Sequence, residues 1–108
     1  MAMTFEITDA SFQREVLESD LPVLVDLWAD WCAPCRIVAP VVKKMAEEYA
    51  GRLRVGKLDV EANPMTPAQY GVYSIPTLLL FKGGSEVDRI AGARPKEQFV
   101  SMIERHLD

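Results

Sequence analysis

The chain has only two cysteines and one histidine in 108 residues. A structural zinc site takes four ligands, usually Cys or His, so one chain of this kind cannot close such a site. No run approaches the ~20 apolar residues of a membrane span. No basic block exists either: 12 Lys and Arg against 16 Asp and Glu leave a net charge of −4, with both signs mixed along the chain. Tracking phosphates takes clustered cations, so no nucleic-acid partner is expected. The first residues, Met-Ala-Met-Thr-Phe-Glu, lack the basic start, apolar segment and small-residue cleavage site of a secretory signal. The chain therefore reads as cytoplasmic, where a passive disulfide staple is not expected. Repeats, low-complexity segments and linkers are missing too, which predicts one domain over residues 1–108.

What is present suffices for one core, since hydrophobic residues make up 49% of the chain. Thr4 to Ile7 reads as a short strand. Asp9 is expected to cap a helix over residues 10–18, with Phe12 and Val16 on one face. Pro22 opens Val23-Leu24-Val25-Asp26-Leu27-Trp28, a nearly unbroken apolar run that predicts a central strand buried on both faces. A longer helix follows from about Ala33 to Ala50, with Val38, Val41, Val42, Met45 and Tyr49 at helical spacing. Pro40 lies inside it and should kink it, and Gly51 suits its end. Leu53 to Val60 reads as a strand, and Asn63-Pro64 and Pro67 mark a turn and a short helix to about Tyr70. Thr77 to Phe81 is a strand. Lys82-Gly83-Gly84-Ser85 turns the chain, and Glu86 to Ala91 returns antiparallel. Pro95 starts a last helix with Phe99, Val100, Ile103 and Leu107 as its apolar stripe. The order β-α-β-α-β-α-β-β-α predicts a mixed sheet between helices.

Both cysteines sit in Trp28-Ala29-Asp30-Trp31-Cys32-Ala33-Pro34-Cys35-Arg36. Cys32 follows the central strand and opens the long helix. Orphan backbone N–H groups and the helix dipole there favour a thiolate, the reactive form. Pro34 has no N–H, so the Cys35 N–H is the expected donor to the Cys32 sulfur. At i and i+3 the two side chains share a face, and a small adjustment of the first turn closes a disulfide. Cys32 is expected exposed at the helix tip and Cys35 less accessible. That asymmetry makes Cys32 the nucleophile and Cys35 the resolving thiol. Asp26 shares a face with Leu24 and Trp28, and burial should raise its pKa toward neutrality, so it is the candidate proton acceptor for Cys35. Lys57, in the next strand, is its candidate partner, with a solvated strand-edge lysine as the alternative. Trp28 reads as core. Trp31 reads as a partly exposed substrate contact.

These residues resemble the thioredoxin family, whose signature Trp-Cys-Gly-Pro-Cys is close to Trp31-Cys32-Ala33-Pro34-Cys35. Asp26, Pro40, Lys57, the run Tyr70-Gly71-Val72-Tyr73-Ser74-Ile75-Pro76-Thr77 and Gly92 also fall in the family's order and spacing. The resemblance covers essentially the whole chain. It implies an α/β fold with a central five-stranded mixed sheet flanked by four helices. It also implies a cis Ile75–Pro76 bond against the two cysteines, main-chain pairing of Ile75 with substrate, and a groove bordered by Gly92 and Ala93. The implied activity is protein-disulfide reduction. The implied partners are client proteins, such as reductases and peroxidases with thiol cycles, and a thioredoxin reductase passing on electrons from NADPH. No bound cofactor or metal and a monomeric state are expected. Two departures stand out. Ala33 replaces the usual Gly, a change worth ~0.8–1.0 kcal/mol in a helix interior, so it and Pro34 are read as tuning residues. Ser74 replaces a glycine common before Ile-Pro.

Three rival readings use the same residues. A metal bridged between two chains fits the ligand count poorly, and His106 reads as a surface residue near a helix C-terminus. A non-catalytic binding subunit of the same fold would retain the fold without turnover. An oxidase or isomerase shares Cys-x-x-Cys, but its intervening pair often contains His, and Ala33-Pro34 does not. The reductant is therefore favoured.

Overall fold

The computed structural model describes residues 3–107. Five strands form one sheet: β1 (Phe5–Glu6), β2 (Val23–Trp28), β3 (Arg54–Asp59), β4 (Thr77–Lys82) and β5 (Ser85–Ala91). The spatial order is β1-β3-β2-β4-β5. β3 runs parallel to both β1 and β2, whereas β4 is antiparallel to β2 and to β5. The helices are α1 (Ala33–Glu48), α2 (Met65–Gln69) and α3 (Lys96–His106), with a π-helical turn at Gln13–Leu17 as the fourth. The expected five-stranded mixed sheet with four helices is the observed fold.

β2 lies in the middle because its sequence is apolar on both faces. Val23, Val25 and Leu27 face one cluster with Ile7, Phe12, Val16, Leu79 and Phe81. Leu24 faces the other, where Val38, Val42 and Met45 of α1 meet Phe99, Met102 and Ile103 of α3. The period-two alternation of the strand thus assigns each side chain to a layer. Asp26 has the parity of Leu24, which turns it toward the α1 face. At the far end of β4, Gly83 and Gly84 both have positive φ, +62° and +83°. A two-residue turn matched to strand twist needs that conformation twice, and glycine adopts it without steric cost.

One expected contact is corrected. Asp9 does not cap a helix over residues 10–18. That segment opens with Thr8 and Ser11 bonding each other: the Thr8 N–H donates to Ser11 Oγ at 2.9 Å and the Ser11 N–H to Thr8 Oγ1 at 3.0 Å. Regular helix starts only at Gln13 and is π-helical, with the Glu18 N–H reaching Gln13 O at 3.0 Å. Asp9 lies four residues before it and turns away. Its carboxylate accepts the Met65 and Thr66 N–H groups at 3.1 and 2.9 Å and the Thr66 hydroxyl at 2.7 Å. The N-cap of α2 is Pro64, which has no side-chain oxygen to offer, so Asp9 supplies the missing acceptor from a distant part of the chain. Asn63 strengthens the bracket by accepting the Asp9 N–H at 2.8 Å.

Candidate active site

The site forms where β2 ends and α1 begins. Cys32 is the N-cap of α1, in an extended conformation, and Pro34 lies in the first turn. A proline there loses no helix hydrogen bond. The Cys35 N–H donates to Cys32 Sγ at 3.2 Å, the bond expected from the sequence. The two cysteines form a disulfide with a Cα–Cα separation of 5.2 Å, inside the usual span. In the reduced pair the same N–H and the helix terminus would stabilise a Cys32 thiolate.

The expected exposure of Cys32 is corrected. Cys32 is 3% and Cys35 4% exposed, so accessibility does not separate them in the disulfide form. Both pack with Ala29, and Trp28, Val60 and Ile75 lie against them. Cys32 Sγ lies 3.8 Å from the Ile75 carbonyl oxygen. The sulfur has no proton to donate in a disulfide; as a thiol it would. What distinguishes the cysteines is therefore direction. The helix N–H points at Cys32, while Cys35 lies one turn in, on the face that looks toward β2.

Asp26 is 1% exposed, and its Oδ1 has no hydrogen-bond partner among the described residues. Burial pushes its pKa up to about 6, partly offset by the Lys57 ammonium. Lys57 stands beside it in register on β3. Among the described residues no ion pair joins them; the Lys57 ammonium instead lies 4.7 Å from the centre of the Trp28 ring. A lysine stacked on an aromatic face keeps part of its charge interaction while it influences Asp26 through space.

The Ile75–Pro76 bond is cis, as the family pattern implied. Pro76 is buried, and the Gly92 N–H donates to its carbonyl at 2.8 Å. Gly92, with φ +99°, is thereby tied to the proline, and exposed Ala93 follows it. Ser74 is exposed and needs no glycine conformation, because no non-glycine residue among those described has positive φ. Ala33 is exposed at the first position of α1, outside the helix interior where the alanine preference is measured. Trp31 is 65% exposed and lines an apolar groove with Val60, Val72, Tyr73 and Ile75. Val60 and Tyr73 were not singled out from the sequence. Val60 is legible in the sequence only as an apolar residue closing a strand, and Tyr73 only as part of the run that resembles the family pattern. The structure thus brings Cys32, Cys35, Ile75 and Pro76 together, with Asp26 and Lys57 beneath α1 and Gly92 alongside.

The family model for thioredoxin matches residues 3–105. The chain belongs to the thioredoxin family. It is 52% identical to a thioredoxin of Synechocystis over 107 residues, covering 99% of this chain and all of that protein. It is 50% identical to thioredoxin 1 of Nostoc and 47% to a thioredoxin of Haemophilus influenzae, with the same coverage of both partners. With the Cys32–Cys35 pair in place, the chain is a thiol-disulfide oxidoreductase of the protein-disulfide reductase kind. Thioredoxins work without a bound cofactor. Among the described residues no three His, Cys, Asp or Glu side chains are grouped to hold a metal ion. No described helix is long and apolar enough to cross a membrane. His106 lies at the end of α3, its Nε2 3.0 Å from Asp88 Oδ2.

Proposed function

We propose that this single-domain chain reduces disulfides in client proteins with Cys32 as nucleophile and Cys35 as resolving thiol. The Cys32 thiolate attacks one sulfur of the client disulfide and releases the other as a thiolate. A mixed disulfide forms across the groove of Trp31, Ile75, Pro76, Gly92 and Ala93, with the client's main chain paired to Ile75. Cys35 gives its proton to Asp26, attacks Cys32 Sγ and frees the second client thiolate. Two electrons pass to the client, and the Cys32–Cys35 disulfide remains. Ala33, Pro34 and Lys57 tune the pair. Resetting it takes two electrons from NADPH, delivered by a thioredoxin reductase. Reductases and peroxidases with thiol cycles are the natural clients. The chain acts as a monomer in the cytoplasm.

The observation that carries the assignment is the Cys35 N–H bonded to Cys32 Sγ at the helix terminus. It favours negative charge on Cys32 and leaves Cys35 as the thiol on the buried face of α1, the side toward which strand alternation turns Asp26. Cys35→Ser should accumulate a client adduct on Cys32, visible by mass spectrometry, with turnover at background. Cys32→Ser should accumulate none. An adduct forming on Cys35 in Cys32→Ser would invert the roles.

A further inference from the structure

Arg14, Arg54, Arg89 and Arg105 each have a carboxylate partner, and Arg52 lies over the Tyr49 ring. Arg36 and Arg94 differ. Each is held by a backbone carbonyl, with no carboxylate partner among the described residues: Arg36 Nη1 donates to Asp30 O at 2.7 Å and Arg94 Nε to Ala91 O at 3.1 Å. Arg36 is thereby tied to the main chain of an acidic residue, Asp30. The one acidic residue within three positions of Arg94 is Glu97, in the first turn of α3, and no ion pair joins the two among the described residues.

Arg94 is also fixed in place. Its N–H donates to Gly92 O at 3.0 Å, and Pro95 follows, which restricts its backbone to extended conformations. A Cβ built on Gly92 would lie 3.4 Å from Arg94 Nε, so the guanidinium group sits over Gly92. Gly92 in turn is bonded to Pro76 O. An exposed cation is therefore held beside the cis-proline wall of the groove, with its Nη groups unpartnered among the described residues.

We infer that Arg94 is a specificity-determining residue that favours clients carrying Asp or Glu close to the reactive cysteine. The inference rests on the disulfide-reductase reading above, because it needs a client strand lying along Ile75 and Gly92. A guanidinium group accepts a carboxylate through two parallel N–H groups, and the Nη nitrogens of Arg94 are available for this. The chain as a whole is net acidic, at −4, and repels such clients at long range. A fixed local cation reverses that sign where docking occurs and acts mainly on association rate.

The test uses two disulfide peptides, identical except for Glu or Lys at the positions flanking one cysteine. Second-order rate constants for their reduction by the fully reduced chain are measured for wild type, R94Q, R94K and R105Q. R105Q removes the same charge at a site paired with Asp88, nine helical residues beyond the start of α3, or about 13 Å. That exceeds the screening length of ~8 Å at physiological salt. The Glu-over-Lys rate ratio should fall about 2–5-fold in R94Q, the size of an exposed ion pair. It should hold in R105Q, survive largely in R94K, and shrink for wild type at high salt. An unchanged ratio in R94Q, or an equal fall in R105Q, overturns the inference while leaving the reductase reading intact. If wild type reduces neither peptide, the reductase reading itself fails.

Discussion

Asp9 and Asp26 are both drawn away from water, and their surroundings treat them in opposite ways. Burial would raise the Asp9 pKa, but the Thr66 hydroxyl and the Thr66 and Met65 N–H groups outweigh it and hold the carboxyl below its ordinary value. The Asp26 pocket gives its Oδ1 no partner among the described residues and pushes the group up to about 6. Asp9 is satisfied as an anion and fastens α2 to the amino-terminal segment. Asp26 is costly as an anion and able to take a proton near neutral pH. A buried carboxyl left without a partner loses stability, and the loss makes sense where a proton must move.

Substitutions at the two positions should therefore shift stability in opposite directions, and only the one at Asp26 should cost activity. Asp26→Asn should show the largest effect. Turnover at pH 7 should fall by about 10²-fold, the low end for a positioned proton acceptor. The same variant should be more stable than wild type at pH 8 by about 3 kcal/mol, because wild type must then ionise a buried carboxyl whose pKa is pushed up to about 6. The folded pKa lies above the unfolded one, so the penalty is absent below about 4, grows between about 4 and 6, and is complete above that. Denaturant melts of the oxidised forms across pH 3.5–8 measure it. A variant less stable than wild type at pH 8 would show that Asp26 is stabilised as an anion after all.

Asp9→Ala should do the reverse on a smaller scale. It should cost about 0.5–2 kcal/mol at pH 7, the range for losing a helix-terminus acceptor, and leave turnover per folded molecule unchanged. Its folded pKa is lowered, so its contribution is present above the ordinary Asp value and lost as pH falls through the folded one. The deficit of Asp9→Ala should close in acid, whereas the gain of Asp26→Asn appears as pH rises. Parallel pH curves for both variants would dissolve the distinction between the two carboxyls.

Lys57→Met sharpens the site side of the comparison with the smallest effect. The Lys57 charge lowers the Asp26 pKa, so its removal should move the acid limb of the pH–rate profile upward. A profile that stays in place would mean that the lysine acts on the Trp28 ring alone.

The difference between the two carboxyls was only half legible in the sequence. Asp26 stood out as the single charge in an apolar run, and strand alternation put it on the α1 face. Asp9 reads as a local cap because it precedes an amphipathic stretch. Its partners, Met65 and Thr66, are far along the chain, and no local pattern announces a bond across that distance. The sheet is readable because β2 and β4 carry apolar runs opened by Pro22 and Pro76, and a Gly-Gly turn joins β4 to the alternating β5. The π-turn was not, since Phe12 and Val16 fit either helical form. The burial of Cys32 is not legible in the sequence, because helix geometry alone places it at an exposed tip. Ile75, Trp28 and Val60 cover it, and only the fold brings them together. Arg94 carries no signal in the sequence, because only the fold sets its guanidinium group over Gly92.

The most direct measurement is the reduction potential of the Cys32–Cys35 pair, read from tryptophan fluorescence in thiol buffers of known poise. We expect a reversible two-electron transition at or below about −250 mV, the range in which thioredoxins are known to work, with Trp28 and Trp31 reporting it. A potential near about −180 to −120 mV would make the chain an isomerase or oxidase and contradict its role as a reductant.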